Sequence, residues 1–168
     1  MTAWIALLRA VNVGGTGKIE MARLRAAAEG AGLGGVRSYI ASGNLVFSGP
    51  DDVEQVRALL TKAIAQEFGA SPEIILRTGA QMAAVAARNP FPAAPGNKVI
   101  VIFTGGEVST AGLRHQADEE VRAGEDELFV HYPSGQGQSK LVVPAAKEGT
   151  GRNMNTVAKL AAMAAEIA

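Results

Sequence analysis

Three runs of this chain are apolar at consecutive rather than alternating positions: Trp4-Ile-Ala-Leu-Leu8, Ile74-Ile-Leu76 and Val99-Ile-Val-Ile-Phe103. A strand with one face in water alternates apolar and polar residues, so these strands demand cover on both faces of their sheet. One small sheet with helices on one side leaves the other side open. The simplest arrangement is two halves that cover or extend each other's sheets. At 168 residues, with 48% hydrophobic and 19% charged, the chain has the apolar content for such a core and too much of it to remain disordered.

The order of elements supports two halves. After a first strand at Ala3 to Leu8 and a glycine-rich turn, Met21, Leu24 and Ala28 recur at helical spacing, and glycines at 30, 32, 34 and 35 end that helix. Val36 to Ala41 and Leu45 to Ser48 read as strands joined by Ser42-Gly43-Asn44. The next helix carries an Asp51-x-x-Glu54 cap signature, a stripe at Val53, Val56, Leu60, Ile64 and Phe68, and a stop at Gly69. Pro72 to Thr78 closes a βαββαβ unit, the ferredoxin-like order.

Thr78 and Gln81 form a capping box for a short helix ending near Asn89, because Pro90 and Pro92 cannot continue it. Beyond the proline-rich segment Asn89 to Gly96 come a strand at Lys98 to Thr104 and a helix carrying Leu113, Ala117 and Val121. Strands at Glu127 to Tyr132 and Ser139 to Val143 follow, then a last helix from about Asn153 to Ile167. The expected fold class is therefore α+β: two related ferredoxin-like halves packed together, the second lacking its final strand. Residues 1–78 make the first half, 79–97 a helix and proline-rich linker, and 98–168 the second half. No sequence repeat relates them.

The stretch Arg9-Ala-Val-Asn12-Val-Gly14-Gly15-Thr16-Gly17-Lys18 lies between the first strand and the first helix. Backbone N–H groups of such a turn, with the positive end of a helix, can hold an anion. It is not a Walker loop: Asn12 occupies the first glycine position and Ile19 replaces the magnesium-binding hydroxyl. Nor is it a dinucleotide fingerprint, since Glu20 stands where the third glycine belongs. In a ferredoxin-like half, the end of strand one and the turn between strands two and three share a sheet edge, so Arg9, Asn12, Gly14, Gly15, Lys18, Ser42 and Asn44 can converge. The alternative is ordinary turn chemistry at both places.

A second polar constellation, Thr150-Gly-Arg152-Asn153-Met-Asn-Thr156 with Lys159, stands at the start of the last helix. Thr150 can simply cap that helix, or Arg152 and Asn153 can add to an anion site, with Ser139-Lys140 joining them. His115 and His131 lack the partners of a metal site or general-base pair, and Asp118-Glu-Glu120 with Glu125-Asp-Glu127 reads as a solvated face.

These motifs together resemble a known family: Ala6-Leu-Leu-Arg-Ala-Val-Asn-Val-Gly-Gly15, Tyr39-Ile-Ala-Ser-Gly-Asn44, Leu76-Arg-Thr78, Asn89-Pro-Phe91, Ser139-Lys-Leu141 and Thr150-Gly-Arg-Asn-Met-Asn-Thr-Val157. The chain is similar to the bacterial family catalogued as domain of unknown function sixteen ninety-seven. The resemblance implies an α+β fold of two related halves and brings no established activity or catalytic residue.

Sixteen basic and sixteen acidic residues cancel, which removes the overall attraction that favours nucleic acid or membranes. With no cysteine there is no disulfide, thiolate metal site or thiol nucleophile, and the short N-terminal apolar run is followed at once by Arg9, so a cytoplasmic protein without a membrane span is expected. No cofactor or metal is indicated, and neither a catalytic residue nor an oligomeric state can be read. The expected function is binding of a small phosphorylated or carboxylated ligand at Arg9, Asn12, Gly14, Gly15, Lys18, Ser42 and Asn44, with Arg152 and Asn153 as further candidates. The alternatives are a nucleic-acid-binding module and a non-catalytic interaction or assembly protein.

Overall fold

A computed structural model of the protein describes residues 1–9, 19–40, 43–105 and 108–167. The chain divides into two compact units, Met1–Met82 with Leu160–Ala168 and Ala83–Lys159.

The first unit runs β1 (Thr2–Leu8), α1 (Met21–Gly30), β2 (Gly34–Ser38), β3 (Asn44–Gly49), α2 (Val53–Phe68) and β4 (Ile74–Thr78). Its sheet has the order β2-β3-β1-β4 with every pair antiparallel, the ferredoxin-like arrangement expected from the sequence. One face of β1, carrying Trp4, Ala6 and Leu8, packs into a core with Leu24 and Ala28 of α1 and Val56, Leu60 and Ile64 of α2. The intervening Ile5 and Leu7 are sealed from water as well, as unbroken apolar strands require.

Helix ends follow local chemistry. Gly69 takes the left-handed conformation, φ 87°, that closes α2. The cap at the other end sits one residue later than expected. Asp52, not Asp51, accepts from the Glu54 N–H at 2.9 Å, because Asp51 is engaged with the Thr2 hydroxyl at 2.7 Å. Thr78 and Gln81 form the anticipated reciprocal box at the start of α3 (Gly79–Ala87), with bonds of 2.8 and 3.1 Å.

The second unit departs from expectation in three places. Its strands are β5 (Val99–Phe103), β6 (Glu120–Ala123), β7 (Glu127–His131) and β8 (Thr150–Asn153), in the order β6-β7-β5-β8. This is the strand order of the first unit, so the final strand is present: it is β8, antiparallel to β5 with Arg152 opposite Val101. The last helix, α4 (Met154–Ile167), follows it directly. The expected helix through Leu113, Ala117 and Val121 is instead a turn leading into β6. Gly112 and His115 take positive φ there, 76° and 59°, and the Glu119 side chain accepts from the Ala117 N–H at 2.6 Å, a local bond that competes with helix formation. The expected strand at Ser139 to Val143 is irregular and keeps one bridge, Arg114 to Val142. Among the described residues both crossovers thus lack α-helices, and their apolar side chains, Leu113, Leu141 and Val143 among them, cover Ile100, Ile102, Leu128 and Val130 on one sheet face.

Candidate functional site

The exit of β1 meets the β2–β3 turn at one sheet edge. Leu7 is opposite Asn44, and the Leu8 N–H donates to the Gly43 carbonyl at 2.9 Å. Asn44 is fully buried, and its side-chain amide donates to the Tyr39 carbonyl at 3.0 Å while the Tyr39 N–H returns a bond to the Asn44 carbonyl. That exchange closes the turn from both sides. Between them Ile40 is held at φ 52° and is 54% exposed. A β-branched residue pays for a left-handed conformation, so the surrounding bonds must impose it.

On the other side of β1, the Arg9 N–H donates to the Glu73 carbonyl at 2.9 Å, and the Arg9 guanidinium meets the Glu73 carboxylate at 3.3 Å. Glu73 orients Arg9 as well as partly offsetting its charge. Ahead of α1, Ile19 is buried, and the helix begins after Glu20 without any side-chain cap bond from that residue. Asn12, Gly14, Gly15, Lys18 and Ser42 lie outside the described residues.

Arg152 and Asn153 sit in the second unit in settings of their own. Arg152 belongs to β8 rather than to a helix N-terminus. Its buried guanidinium donates to the Thr150 hydroxyl at 2.5 Å and to the Gly151 carbonyl at 3.0 Å. Burial lowers its pKa to about 10, which leaves it cationic at neutral pH. Asn153, not Thr150, caps α4, accepting from the Thr156 N–H at 2.9 Å.

Residues read as a solvated acidic face turn out to line a cavity of about 450 Å³ in the second unit. Glu119 is 5% exposed and accepts from the Ser139 hydroxyl at 2.5 Å as well as from Ala117; these bonds, the hydroxyl first, hold its carboxyl below the usual range. Asp118 accepts from the Ser134 hydroxyl at 2.7 Å. The sequence signal for Glu119 is faint: a carboxylate two residues after an N–H it can accept from. Glu127, from the other acidic cluster, is 1% exposed and paired with Arg88 at 2.6 Å. Among the described residues no group of three or more acidic or histidine side chains is arranged to hold a metal ion, and no helix is long and apolar enough to cross a membrane.

Residues 1–129 match the sequence model of a family described as protein of unknown function, DUF1697. The chain belongs to the DUF1697 family. The motifs at Ala6 to Gly15, Tyr39 to Asn44, Leu76 to Thr78 and Asn89 to Phe91 fall within the matched region, whereas Ser139 to Leu141 and Thr150 to Val157 lie beyond it. Among solved structures, the DUF1697 chain is similar to the conserved bacterial protein SP0830 from Streptococcus pneumoniae. The two are 26% identical, with a TM-score of 0.81 over 97% of this chain and 98% of that one. No curated protein matches it in sequence.

Proposed function

We propose that the first unit binds a small phosphorylated or carboxylated ligand at the edge where β1 ends, through Arg9, Asn12, Gly14, Gly15, Lys18, Ser42 and Asn44. The observation that carries this reading is the Leu8 to Gly43 hydrogen bond beside the Leu7–Asn44 pairing. It ties the start of the glycine-rich segment to the β2–β3 turn, so residues distant in sequence flank one edge. Two further features support it. The turn stores strain at exposed Ile40, and strained backbone concentrates where a surface is shaped for binding. The first-turn amides of α1 receive no side-chain cap from Glu20, and uncapped amides at a positive helix end favour an anion.

In this site Lys18 and Arg9 neutralise charge, the glycine amides cradle oxygens, the Ser42 hydroxyl orients the ligand, and buried Asn44 holds the turn in shape through the Tyr39 carbonyl. Arg152 and Asn153 are assigned to the stability of β8 and α4 instead. A thermal-shift screen of nucleotides, sugar phosphates and small carboxylates tests the proposal. At least one ligand is expected to raise the melting temperature of the wild type and to do so by less than half as much for Lys18→Ala, on the order of the loss of one charge-assisted contact. Equal shifts in both proteins, or none in either, would refute it.

A further inference from the structure

The cavity in the second unit contains a polar group that the fold itself leaves unused. Tyr132 is 6% exposed, and its ring packs with Ile100, Ile102 and Val130. Among the described residues its hydroxyl has no hydrogen-bond partner, yet no side-chain oxygen or nitrogen sealed from solvent lacks one. The Tyr132 hydroxyl therefore opens into the cavity that Tyr132 lines. Burial, and then the neighbouring charge of Glu119, push its pKa up, so at neutral pH it both donates and accepts.

Three charged side chains line the same cavity. Asp118 and Glu119 are negative and Lys140 is positive, and among the described residues none of the three has an ion-pair partner. Both carboxylates are held by neighbouring donors, Ser134 for one and Ser139 with Ala117 for the other. Each retains lone pairs for a ligand, since a carboxylate accepts about four hydrogen bonds. Charges pinned in a concave site attract a ligand without having to be reorganised when it arrives.

We propose that this cavity binds a small zwitterion of the free amino acid class, its ammonium on Asp118 and Glu119, its carboxylate on Lys140, and a hydrogen bond from Tyr132. The volume of about 450 Å³ falls in the range of small-molecule sites, about 300–1,000 Å³. Charge discriminates among ligand classes. A simple anion meets two carboxylates, a simple amine meets Lys140, and an uncharged polyol desolvates all three charges without a counter-charge. A zwitterion answers each. This inference does not rest on the anion site proposed for the first unit.

Amide NMR of the full chain, titrated with each proteinogenic amino acid in turn, tests this. At least one is expected to produce saturable shifts at Glu119, Tyr132 and Ser139, with a dissociation constant of about 1 mM or tighter. The amine lacking its carboxylate and the hydroxy acid lacking its ammonium should each bind about tenfold more weakly or worse. Tyr132→Phe removes a hydroxyl with no partner among the described residues, so its melting temperature should equal or exceed that of the wild type while its affinity falls about fivefold. The proposal is overturned if no amino acid binds at about 10 mM, if the shifts map elsewhere, if either half-ligand binds as well as the whole, or if Tyr132→Phe binds like the wild type.

Discussion

At the scale of single residues, identity misleads where the setting is unknown. Arg152, preceded by Thr-Gly and followed by Asn at the start of a helical pattern, has the look of an anion ligand. In the structure it is 7% exposed and donates to the Thr150 hydroxyl within its own strand. The two assignments give different results on truncation. We expect Arg152→Ala to lower the denaturant midpoint by an amount equivalent to about 2 kcal/mol, because it removes buried hydrogen bonds and opens a void. A ligand residue on the surface would cost within about 0.5 kcal/mol, and that result would return Arg152 to the binding candidates. Asn44 shows the reverse difficulty. Its role in closing a turn was legible from Ser-Gly-Asn chemistry, but its complete burial was not, since it depends on Tyr39 supplying a carbonyl five residues earlier. Glu119 left only a faint trace in the sequence and Tyr132 none, for the Glu119 carboxylate is fixed by Ser139 of the other irregular crossover, and Tyr132 follows β7 where its N–H pairs with the Lys98 carbonyl.

At the scale of elements, the first unit was legible because each of its signals is local. The stripe of α2, the left-handed Gly69 and the reciprocal bonds of Thr78 and Gln81 involve neighbours in sequence, and the structure reproduces them with a one-residue shift at Asp52. The second unit was only half legible. Leu113, Ala117 and Val121 keep helical spacing, but two left-handed residues and the Glu119 side-chain bond divert the segment into a strand that pairs with β7. In β8 the buried positions are Thr150 and Arg152, polar residues that hydrogen-bond to one another, so the apolar alternation by which strands are recognised is missing. What permits β8 to form is Gly149, where a Cβ would stand 2.5 Å from the Phe103 carbonyl oxygen and 3.1 Å from Ile102. Gly149→Ala should therefore destabilise the protein by about 1–3 kcal/mol, the usual cost of forcing atoms into a packed site. The measurement is the denaturant midpoint at constant slope. A substitution without effect would show that β8 does not depend on this close approach.

At the scale of the whole molecule, two sheets share one strand order although their crossovers differ in kind, helical in the first unit and irregular in the second. The shared order explains why the element pattern hinted at duplication while no residue repeat could be found. Strand order constrains topology, whereas the crossover sequences are free to diverge. Charge balance acts at this scale too. With basic and acidic residues equal in number, the field that steers the chain toward polyanions is small, and attraction must come from local groups such as Arg9 and Lys18. This favours a small ligand at one edge over a long nucleic-acid track. The most direct test is to follow the backbone amides by NMR while inorganic phosphate is added to about 10 mM at constant ionic strength. We expect saturable shifts confined to Leu8, Arg9, the 10–18 segment and the 42–44 turn, cut to less than half by Lys18→Ala and leaving Arg152 unmoved. Shifts that never saturate, that spread over the surface lysines, or that are undiminished in Lys18→Ala would contradict the proposed site.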